Sequence, residues 1–173
     1  MNEYVVLVNF RNEPLGTMEK LAAHSRNTPL HRGFSLFLFN DKEELLLQQR
    51  SLTKKTWPGI WSNSVCGHPM LGETPIEAAH RRLAFELGIT DTEISMALPD
   101  YRYRVEKDGI VENEICPVMI GFSNALPKPN PDEVEAIRWI SWKDWLVEIK
   151  NNPIGYSPWC IEETTLLLKN KKI

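Results

Sequence analysis

Two charged side chains, Arg82 and Glu86, stand four residues apart in a stretch with a helical pattern. Side chains at that spacing lie one turn apart on the same face of a helix. A guanidinium and a carboxylate placed in this way suit a diphosphate, with Arg82 binding a phosphate oxygen and Glu86 sharing an Mg²⁺ ion with it. The same spacing is also typical of an exposed ion pair, which contributes at most ~0.5 kcal/mol. The spacing alone supports both interpretations.

Two further carboxylates, Glu112 and Glu114, alternate along a segment with strand character. Side chains two apart on a strand project to the same face, so both can bind one metal ion. The three cysteines, Cys66, Cys116 and Cys160, are odd in number and widely spaced. We therefore expect neither a disulfide framework nor a paired CxxC metal site, and we predict a reduced, cytoplasmic protein.

The elements that must position these groups are strands interspersed with helices. The helix over Glu73–Leu87 has the clearest pattern, because apolar residues recur three or four apart and Gly88 follows its end. The other predicted helices are Met18–His24, Trp139–Lys150 and Ile161–Lys169. The predicted strands are Tyr4–Val8, Phe34–Asn40, Leu45–Gln49, Tyr101–Val105 and Ile110–Phe122, with a turn over Asn12–Gly16 and a loop over Leu126–Pro131. This order predicts an α/β (α+β) fold with a mixed sheet.

Composition narrows the class of protein. The chain has 173 residues, so we expect residues 1–173 to form a single domain. Its net charge of −3 argues against a nucleic-acid-binding surface. The longest apolar stretch, Phe34–Phe39, is far shorter than a membrane span, and no basic region precedes the apolar run at the N-terminus. We expect no membrane partner and no signal peptide.

The segment 67–89, GHPMLGETPIEAAHRRLAFELGI, resembles the Nudix box, G-x5-E-x7-R-E-U-x-E-E-x-G-U, where U is a bulky aliphatic residue. The matching positions are Gly67, Glu73, Arg81, Leu83, Glu86, Gly88 and Ile89. Arg82 and Phe85 stand where the pattern has glutamate. Those glutamates gather the metal ions that activate water against a diphosphate bond. The resemblance therefore implies a Nudix-like fold, a mixed sheet between helices, but not the hydrolysis.

Further segments around this box are more specific. They are MEKLAAH-x6-H (18–31), QQRSLTKKTWPGIWSNSVCGHP (48–69), YRYR (101–104), ENEICPV (112–118) and SPW (157–159). In this order they resemble the type 1 isopentenyl-diphosphate isomerases, the metal-dependent, flavin-free class with a Nudix-like fold. The resemblance extends from Val5 to about Trp159. It implies isomerisation of isopentenyl to dimethylallyl diphosphate in isoprenoid biosynthesis.

The resemblance also implies roles for individual residues. Cys66 and Glu114, the latter helped by Tyr103, are the acid and base of an antarafacial proton addition and removal. Trp159 presents its ring face to the carbocation-like intermediate. The cations Lys20, Arg50, Lys54 and Arg82 bind the diphosphate, and Glu86 binds an Mg²⁺ ion bridged by that group.

The implied metal ligands at a second site are His24, His31, His68, Glu112 and Glu114. The resemblance implies Mg²⁺, Mn²⁺ or Zn²⁺ at this site. Among these ions, Mn²⁺ and Zn²⁺ suit a mixed set of imidazole and carboxylate ligands better than Mg²⁺ does. The expected partner is a small isoprenoid diphosphate, and a monomer is favoured. Two alternatives remain: a Nudix pyrophosphohydrolase acting on a nucleotide or prenyl diphosphate, and a non-catalytic binding module of the same fold.

Overall fold

A computed structural model describes residues 3–173, and within that range it contains twelve strands and four α-helices. The strands are β1 Tyr4–Val8, β2 Pro14–Glu19, β3 His31–Arg32, β4 Phe34–Phe39, β5 Glu44–Arg50, β6 Trp61–Ser62, β7 Val65–Gly67, β8 Glu93–Leu98, β9 Arg102–Lys107, β10 Ile110–Ile115, β11 Val118–Phe122 and β12 Val134–Ser141. The α-helices are α1 Lys20–Ala23, α2 Pro75–Leu87, α3 Trp142–Asn151 and α4 Pro158–Lys169.

The strands form two mixed sheets. The first has the order β2-β1-β3-β10-β9, and the second has the order β12-β5-β4-β11-β8, with β6 added to β5 and β7 to β4. Each sheet contains one parallel pair, β3 with β10 and β4 with β11, and its other pairs are antiparallel. Glu114 on β10 lies directly beside His31 on β3 in this register.

Helices cover both faces of the second sheet. Successive side chains of a strand point to opposite faces, and every residue of β4 is buried. Phe34, Leu36 and Leu38 pack with α2, whereas Phe37 and Phe39 pack with α3 and α4. The predicted mixed sheet between helices is therefore confirmed for this sheet.

Helix α2 has well-defined ends. The Thr74 side chain accepts a hydrogen bond from the Glu77 backbone N–H, and the Glu77 carboxylate accepts one from the Thr74 backbone N–H. Pro75 follows at the first helical position, where its missing N–H is not needed. Gly88 ends the helix with φ at 65°, a left-handed conformation that glycine adopts without steric cost. These ends fix the helix that carries Arg82 and Glu86.

Several predicted elements were wrong in extent. The predicted turn over Asn12–Gly16 gives way at Pro14 to β2, and only Lys20–Ala23 of the predicted helix Met18–His24 is helical. The single strand predicted over Ile110–Phe122 is two strands in different sheets, because Pro117 between them has no N–H to continue a ladder.

Further differences concern the starts of the last two helices and the strands that the sequence did not reveal. The third helix begins at Trp142 rather than Trp139, since residues 134–141 form β12. The last helix begins three residues earlier than predicted, at Pro158. Strands β2, β3, β6, β7, β8 and β12 were not predicted. In residues 3–173 no helix has the length and apolar character needed to cross a membrane.

Candidate active site

One cleft gathers the residues that the sequence singled out. It is lined by Lys20, His24, Arg50, Lys54, Cys66, His68, Arg82, Glu86, Tyr103, Glu112, Glu114 and Trp159. His31 is the remaining predicted residue, and it is completely buried in contact with His68 and Glu114. The cleft is therefore assembled from both sheets, from α2 and from α4.

Three histidines and a glutamate form the most concentrated group. One possible ligand atom from each of His24, His31, His68 and Glu114 lies within 4.8 Å of all the others. The His31 and His68 Nε2 atoms are 3.3 Å apart, and Glu114 Oε1 lies 2.9 Å from His68 Nε2 and 3.4 Å from His31 Nε2. Imidazole nitrogens and a carboxylate oxygen that converge in this way suit a divalent metal ion.

The second nitrogens of two rings are held by backbone carbonyls. His24 Nδ1 lies 2.6 Å from the Lys20 carbonyl oxygen, and His31 Nδ1 lies 2.9 Å from that of Pro29. A carbonyl only accepts, so each Nδ1 carries a hydrogen, and Nε2 is the nitrogen that would offer its lone pair to a metal ion. This is the tautomer that metal binding through Nε2 needs, so the residues present fit a metal ion.

The protonation states of His68 and Glu114 also favour the binding of a metal ion. Burial lowers the pKa of His68 to about 3, which keeps its ring neutral. Burial raises the pKa of Glu114, but hydrogen bonds with His31 and His68 outweigh it and hold that pKa well below 4.5. Glu112 lies beside this group of four rather than within it, and its Oε2 is 3.0 Å from His24 Nε2.

Cys66 on β7 is placed to hold a proton. Its Sγ donates to Asn63 Oδ1 at 2.9 Å. The Asn63 amide nitrogen donates to the carbonyl oxygens of Leu36 and Val65, so the amide oxygen must face the thiol. Burial raises the pKa of the thiol to about 12. The thiol is thus neutral at physiological pH.

Two aromatic side chains stand next to these groups. The Tyr103 hydroxyl donates to Glu114 Oε2 at 3.1 Å, and burial raises its pKa well above 10, so it keeps its hydrogen. Its ring centre lies 5.6 Å from that of Trp159 in the first turn of α4, and the Trp159 and Trp57 ring centres lie 5.1 Å apart with the rings nearly perpendicular. The cleft therefore has an aromatic wall that cannot act as a nucleophile.

The cations of the cleft are paired with carboxylates. Arg82 contacts Glu86 at 2.6 Å, Glu3 at 2.9 Å and Glu133 at 3.0 Å. Lys20 pairs with Glu3 at 2.6 Å, and Lys54 pairs with Glu133. Of the two interpretations of the Arg82–Glu86 spacing, the exposed ion pair does not apply, because both residues are buried.

Arg50 is held by backbone carbonyl groups, whereas the other three cations of the cleft contact carboxylates. Its guanidinium donates to the backbone carbonyl oxygens of Thr56 and Trp57, which fixes the loop that also carries Lys54. Gln48 donates to Glu86 at 2.8 Å.

Several residues at the site were missed by sequence reasoning. They are Glu3, Ser35, Gln48, Asn63 and Glu133. Gln48 and Asn63 lie inside the segment 48–69 and were detectable there, whereas the others carry no distinctive spacing.

Comparisons with known proteins agree with this geometry. A NUDIX domain family matches residues 29–160. Isopentenyl-diphosphate Delta-isomerases of Salmonella heidelberg and Salmonella schwarzengrund are each 44% identical over 164 residues, which cover 94% of this chain and 91% of the relative. The chain belongs to this isomerase family.

Solved structures place the isomerase in the wider Nudix fold. A Deinococcus radiodurans protein superposes with a TM-score of 0.73 at 22% identity and covers 96% of this chain and 98% of its own. A MutT protein of Methanosarcina mazei superposes with a TM-score of 0.64 at 21% identity, over 83% and 96% of the two chains. At these identities the likeness concerns the fold alone.

Proposed function

We propose that the protein isomerises isopentenyl diphosphate to dimethylallyl diphosphate by adding a proton to the terminal carbon of the double bond and removing a proton from the CH₂ group on the other side of the tertiary carbon. The observation that carries the proposal is one cleft containing a neutral thiol at Cys66, an ionised carboxylate at Glu114 and the ring of Trp159. An alkene without activating groups needs an acid, a base and a wall that cannot attack a cation. The cleft offers all three.

Cys66 and Glu114 are the proposed acid and base. In the direction from isopentenyl to dimethylallyl diphosphate, the thiol that holds its proton donates to the alkene, and the carboxylate accepts the proton that leaves. The Tyr103 hydroxyl donates a hydrogen bond to Glu114 Oε2, whereas Glu114 Oε1 faces the histidines. The reverse reaction uses the same two groups in exchanged roles.

We propose two metal sites. His24, His31, His68, Glu112 and Glu114 would hold Mg²⁺, Mn²⁺ or Zn²⁺, and Glu86 would bind an Mg²⁺ shared with the diphosphate; no flavin takes part. A cation at the first site supplies positive charge that lowers the pKa of Glu114 and fixes its orientation. The donor atoms already converge within 4.8 Å, which supports the first assignment.

The diphosphate would bind to Lys20, Arg50, Lys54 and Arg82. Three of these cations now contact Glu3 or Glu133, so substrate binding exchanges carboxylate partners for phosphate oxygens. Trp159 would face the carbocation-like intermediate, an interaction worth roughly 2 kcal/mol in a dry site. We further propose that residues 1–173 act as one domain, as a cytoplasmic monomer without nucleic-acid or membrane partners.

One experiment tests the reaction. The purified protein is incubated with isopentenyl diphosphate and Mg²⁺ in deuterated water, and the products are analysed by mass spectrometry and phosphate assay. We expect dimethylallyl diphosphate carrying deuterium and no phosphate release. Phosphate or a monophosphate as the main product would instead indicate hydrolysis, against which Arg82 and Phe85 already argue at the glutamate positions of the box.

The first prediction concerns the two reacting groups. Cys66→Ala, Cys66→Ser and Glu114→Gln each reduce kcat by at least about 1,000-fold, because each removes a proton donor or acceptor of the transition state. Glu106→Gln, on the exposed side of β9, is the matched control and keeps wild-type kcat. Thermal unfolding checks that all variants are folded. A Cys66 or Glu114 variant within tenfold of wild type removes that residue from its role.

A further inference from the structure

Gln48 on β5 is a buried residue of the cleft to which the proposed reaction gives no role. Only 5% of this residue is exposed, and it lines the cleft together with Glu86. Its amide nitrogen Nε2 donates a hydrogen bond to Glu86 Oε2 at 2.8 Å. Since Glu86 is the carboxylate proposed to share an Mg²⁺ ion with the diphosphate, Gln48 lies directly beside that proposed ion site.

The amide oxygen of Gln48 is buried without a donor. A carboxylate only accepts hydrogen bonds, so the amide nitrogen must face Glu86 and the amide oxygen cannot. Among residues 3–173, no group donates a hydrogen bond to Gln48 Oε1. A buried acceptor is unfavourable unless some group donates to it. The orientation that serves Glu86 therefore leaves Gln48 with a free acceptor.

The two oxygens of Glu86 have contacts of different charge. The Arg82 guanidinium holds Oε1, with its Nε at 2.8 Å and its Nη2 at 2.6 Å. Oε2 instead receives the neutral amide of Gln48. A neutral donor orients a carboxylate without adding a positive charge that would repel a metal ion, and carboxylates that bind metals are commonly held by such hydrogen bonds. The residues around Glu86 Oε2 thus fit an Mg²⁺ ion.

We propose that Gln48 is a positioning residue of the Mg²⁺ site at Glu86. Its amide N–H orients Glu86 Oε2, and its amide oxygen accepts a hydrogen bond from a water molecule on the ion. Mg²⁺ loses water reluctantly and usually keeps several water ligands in proteins. An amide oxygen that has no donor within the protein suits such a water. The inference rests on the proposed sharing of Mg²⁺ between Glu86 and the diphosphate.

Isothermal titration calorimetry with inorganic pyrophosphate tests this role without turnover. The histidine site is first filled with one equivalent of Zn²⁺, and the Kd of pyrophosphate is then measured with and without Mg²⁺. The ratio of the Kd without Mg²⁺ to the Kd with Mg²⁺ is the gain in affinity that Mg²⁺ provides, which we call the magnesium gain.

Gln48→Met removes both polar atoms at a similar side-chain length. We expect it to reduce the magnesium gain by about tenfold, as is usual when a residue that orients a metal ligand is lost. Its Kd without Mg²⁺ should stay within about twofold of wild type, because the Gln48 hydrogen bond goes to Glu86 and not to a cation. The matched control is Gln49→Met, which should keep the wild-type gain. Gln49 is the next residue of β5, points to the opposite face and donates to the Gly59 carbonyl oxygen.

Gln48→Glu tests the acceptor separately. This variant keeps an oxygen acceptor and adds a negative charge beside Glu86, which repels pyrophosphate without Mg²⁺ and attracts the ion when it is present. We therefore expect a magnesium gain at or above that of the wild type. Thermal unfolding checks that the variants are folded, and Gln48→Glu decides the test alone if Gln48→Met does not fold.

Two results overturn the inference. A wild-type magnesium gain in Gln48→Met would show that Glu86 needs no orientation by the amide. A gain below wild type in Gln48→Glu would show that the acceptor does not serve the ion. Glu86→Gln separates these results from a failure of the proposed function, because it must abolish the gain if Glu86 binds Mg²⁺. A gain that persists in Glu86→Gln would overturn the metal site at Glu86 itself.

Discussion

At the residue scale, the cleft holds its acid and its base in opposite protonation states before substrate binds. Burial keeps the proton on Cys66, whereas hydrogen bonds from His31 and His68 keep Glu114 ionised although it too is buried. Burial favours the neutral form of any group, so the difference arises from the neighbours. The isomerase thus needs no prior proton exchange between the two groups to begin the reaction in this direction.

The ring of Trp159 provides the second residue-scale prediction. Trp159→Leu removes the ring face and lowers kcat by about 30-fold, the equivalent of roughly 2 kcal/mol of transition-state stabilisation. Trp159→Phe keeps an aromatic face and loses less. Steady-state kinetics measures both, and KM is expected to change little because the charge develops only in the transition state. Equal losses in the two variants would assign the effect to packing on Tyr103 and Trp57 rather than to the cation.

His68 predicts a pH dependence of stability in the metal-free protein. Its folded pKa is about 3 because burial disfavours the charged ring, whereas the unfolded value is near 6.5. Between these values only the unfolded state binds the proton, so stability falls as the pH falls below 6.5. The slope from this residue approaches about 1.4 kcal/mol per pH unit.

Urea unfolding of chelator-treated protein at pH 7, 6 and 5 measures that slope. His68→Gln is expected to reduce the slope of the unfolding free energy against pH, because this variant lacks the proton that His68 binds on unfolding. The pKa of His24 is raised, since Glu112 outweighs the effect of its burial, and its contribution is therefore lost above pH 6.5 rather than below. Identical slopes in wild type and His68→Gln would contradict the assignment.

At the scale of elements, the sequence predicts those whose apolar pattern is regular. Helix α2 and strands β4 and β5 have such patterns, and the structure contains them. Strand β2 is almost entirely exposed and contains proline and glycine, so no alternation of buried residues reveals it. Strand β12 ends in Ile-Ser directly before α3, and its bulky residues merge with those of the helix. Pairing with another strand, β1 for β2 and β5 for β12, creates both rather than a local pattern.

The same distinction applies to the cleft. Residues inside specific segments, such as Cys66 and His68, were predicted and lie in the cleft, although their roles remain proposals. Glu133 has no such segment, because an ordinary glutamate becomes important only through its neighbours in space. Glu133 meets Lys54 from 79 residues away in the chain. No spacing rule within one sequence contains that information.

A prediction at this scale concerns the junction of β3 and β4. Gly33 lies there, and a Cβ added to it would be 1.9 Å from Glu114 Oε2. Gly33→Ala must therefore displace the Glu114 carboxylate, and we expect metal affinity and kcat each to fall roughly 10- to 100-fold. The matched control is Gly155→Ala, whose Cβ meets nothing closer than Asn152 Nδ2 at 3.8 Å.

Metal titration by inductively coupled plasma mass spectrometry after dialysis, together with kcat, measures the outcome for both glycine variants. Glu114 is held by His31 and His68 as well as Tyr103, so its displacement disturbs three contacts at once. Wild-type metal content and activity in Gly33→Ala would mean that the carboxylate can move without consequence, and would remove Glu114 from the proposed ligand set.

At the scale of the whole molecule, the cleft draws its cations from elements that lie far apart in the chain. Lys20 begins α1 beside the first sheet, Arg50 ends β5 in the second, and Arg82 lies on α2. The net charge of the chain is only −3, yet these cations converge on one small site. A diphosphate bound there would connect both sheets and a helix, so its binding free energy should stabilise the entire fold rather than one element.

This predicts a large thermal shift with inorganic pyrophosphate and Mg²⁺. A ligand at a hundred times its Kd stabilises the folded state by about 2.7 kcal/mol. For a chain of this size each kcal/mol raises Tm by about 2–4 °C, so we expect a rise of roughly 5–11 °C. Lys54→Met removes one cation and should reduce the rise at the same ligand concentration, whereas orthophosphate, which spans fewer cations, should give a smaller rise with the wild type. An equal shift for pyrophosphate and orthophosphate would place anion binding outside the cleft. In the cleft, the longer pyrophosphate contacts more cations than orthophosphate and should therefore stabilise the fold more.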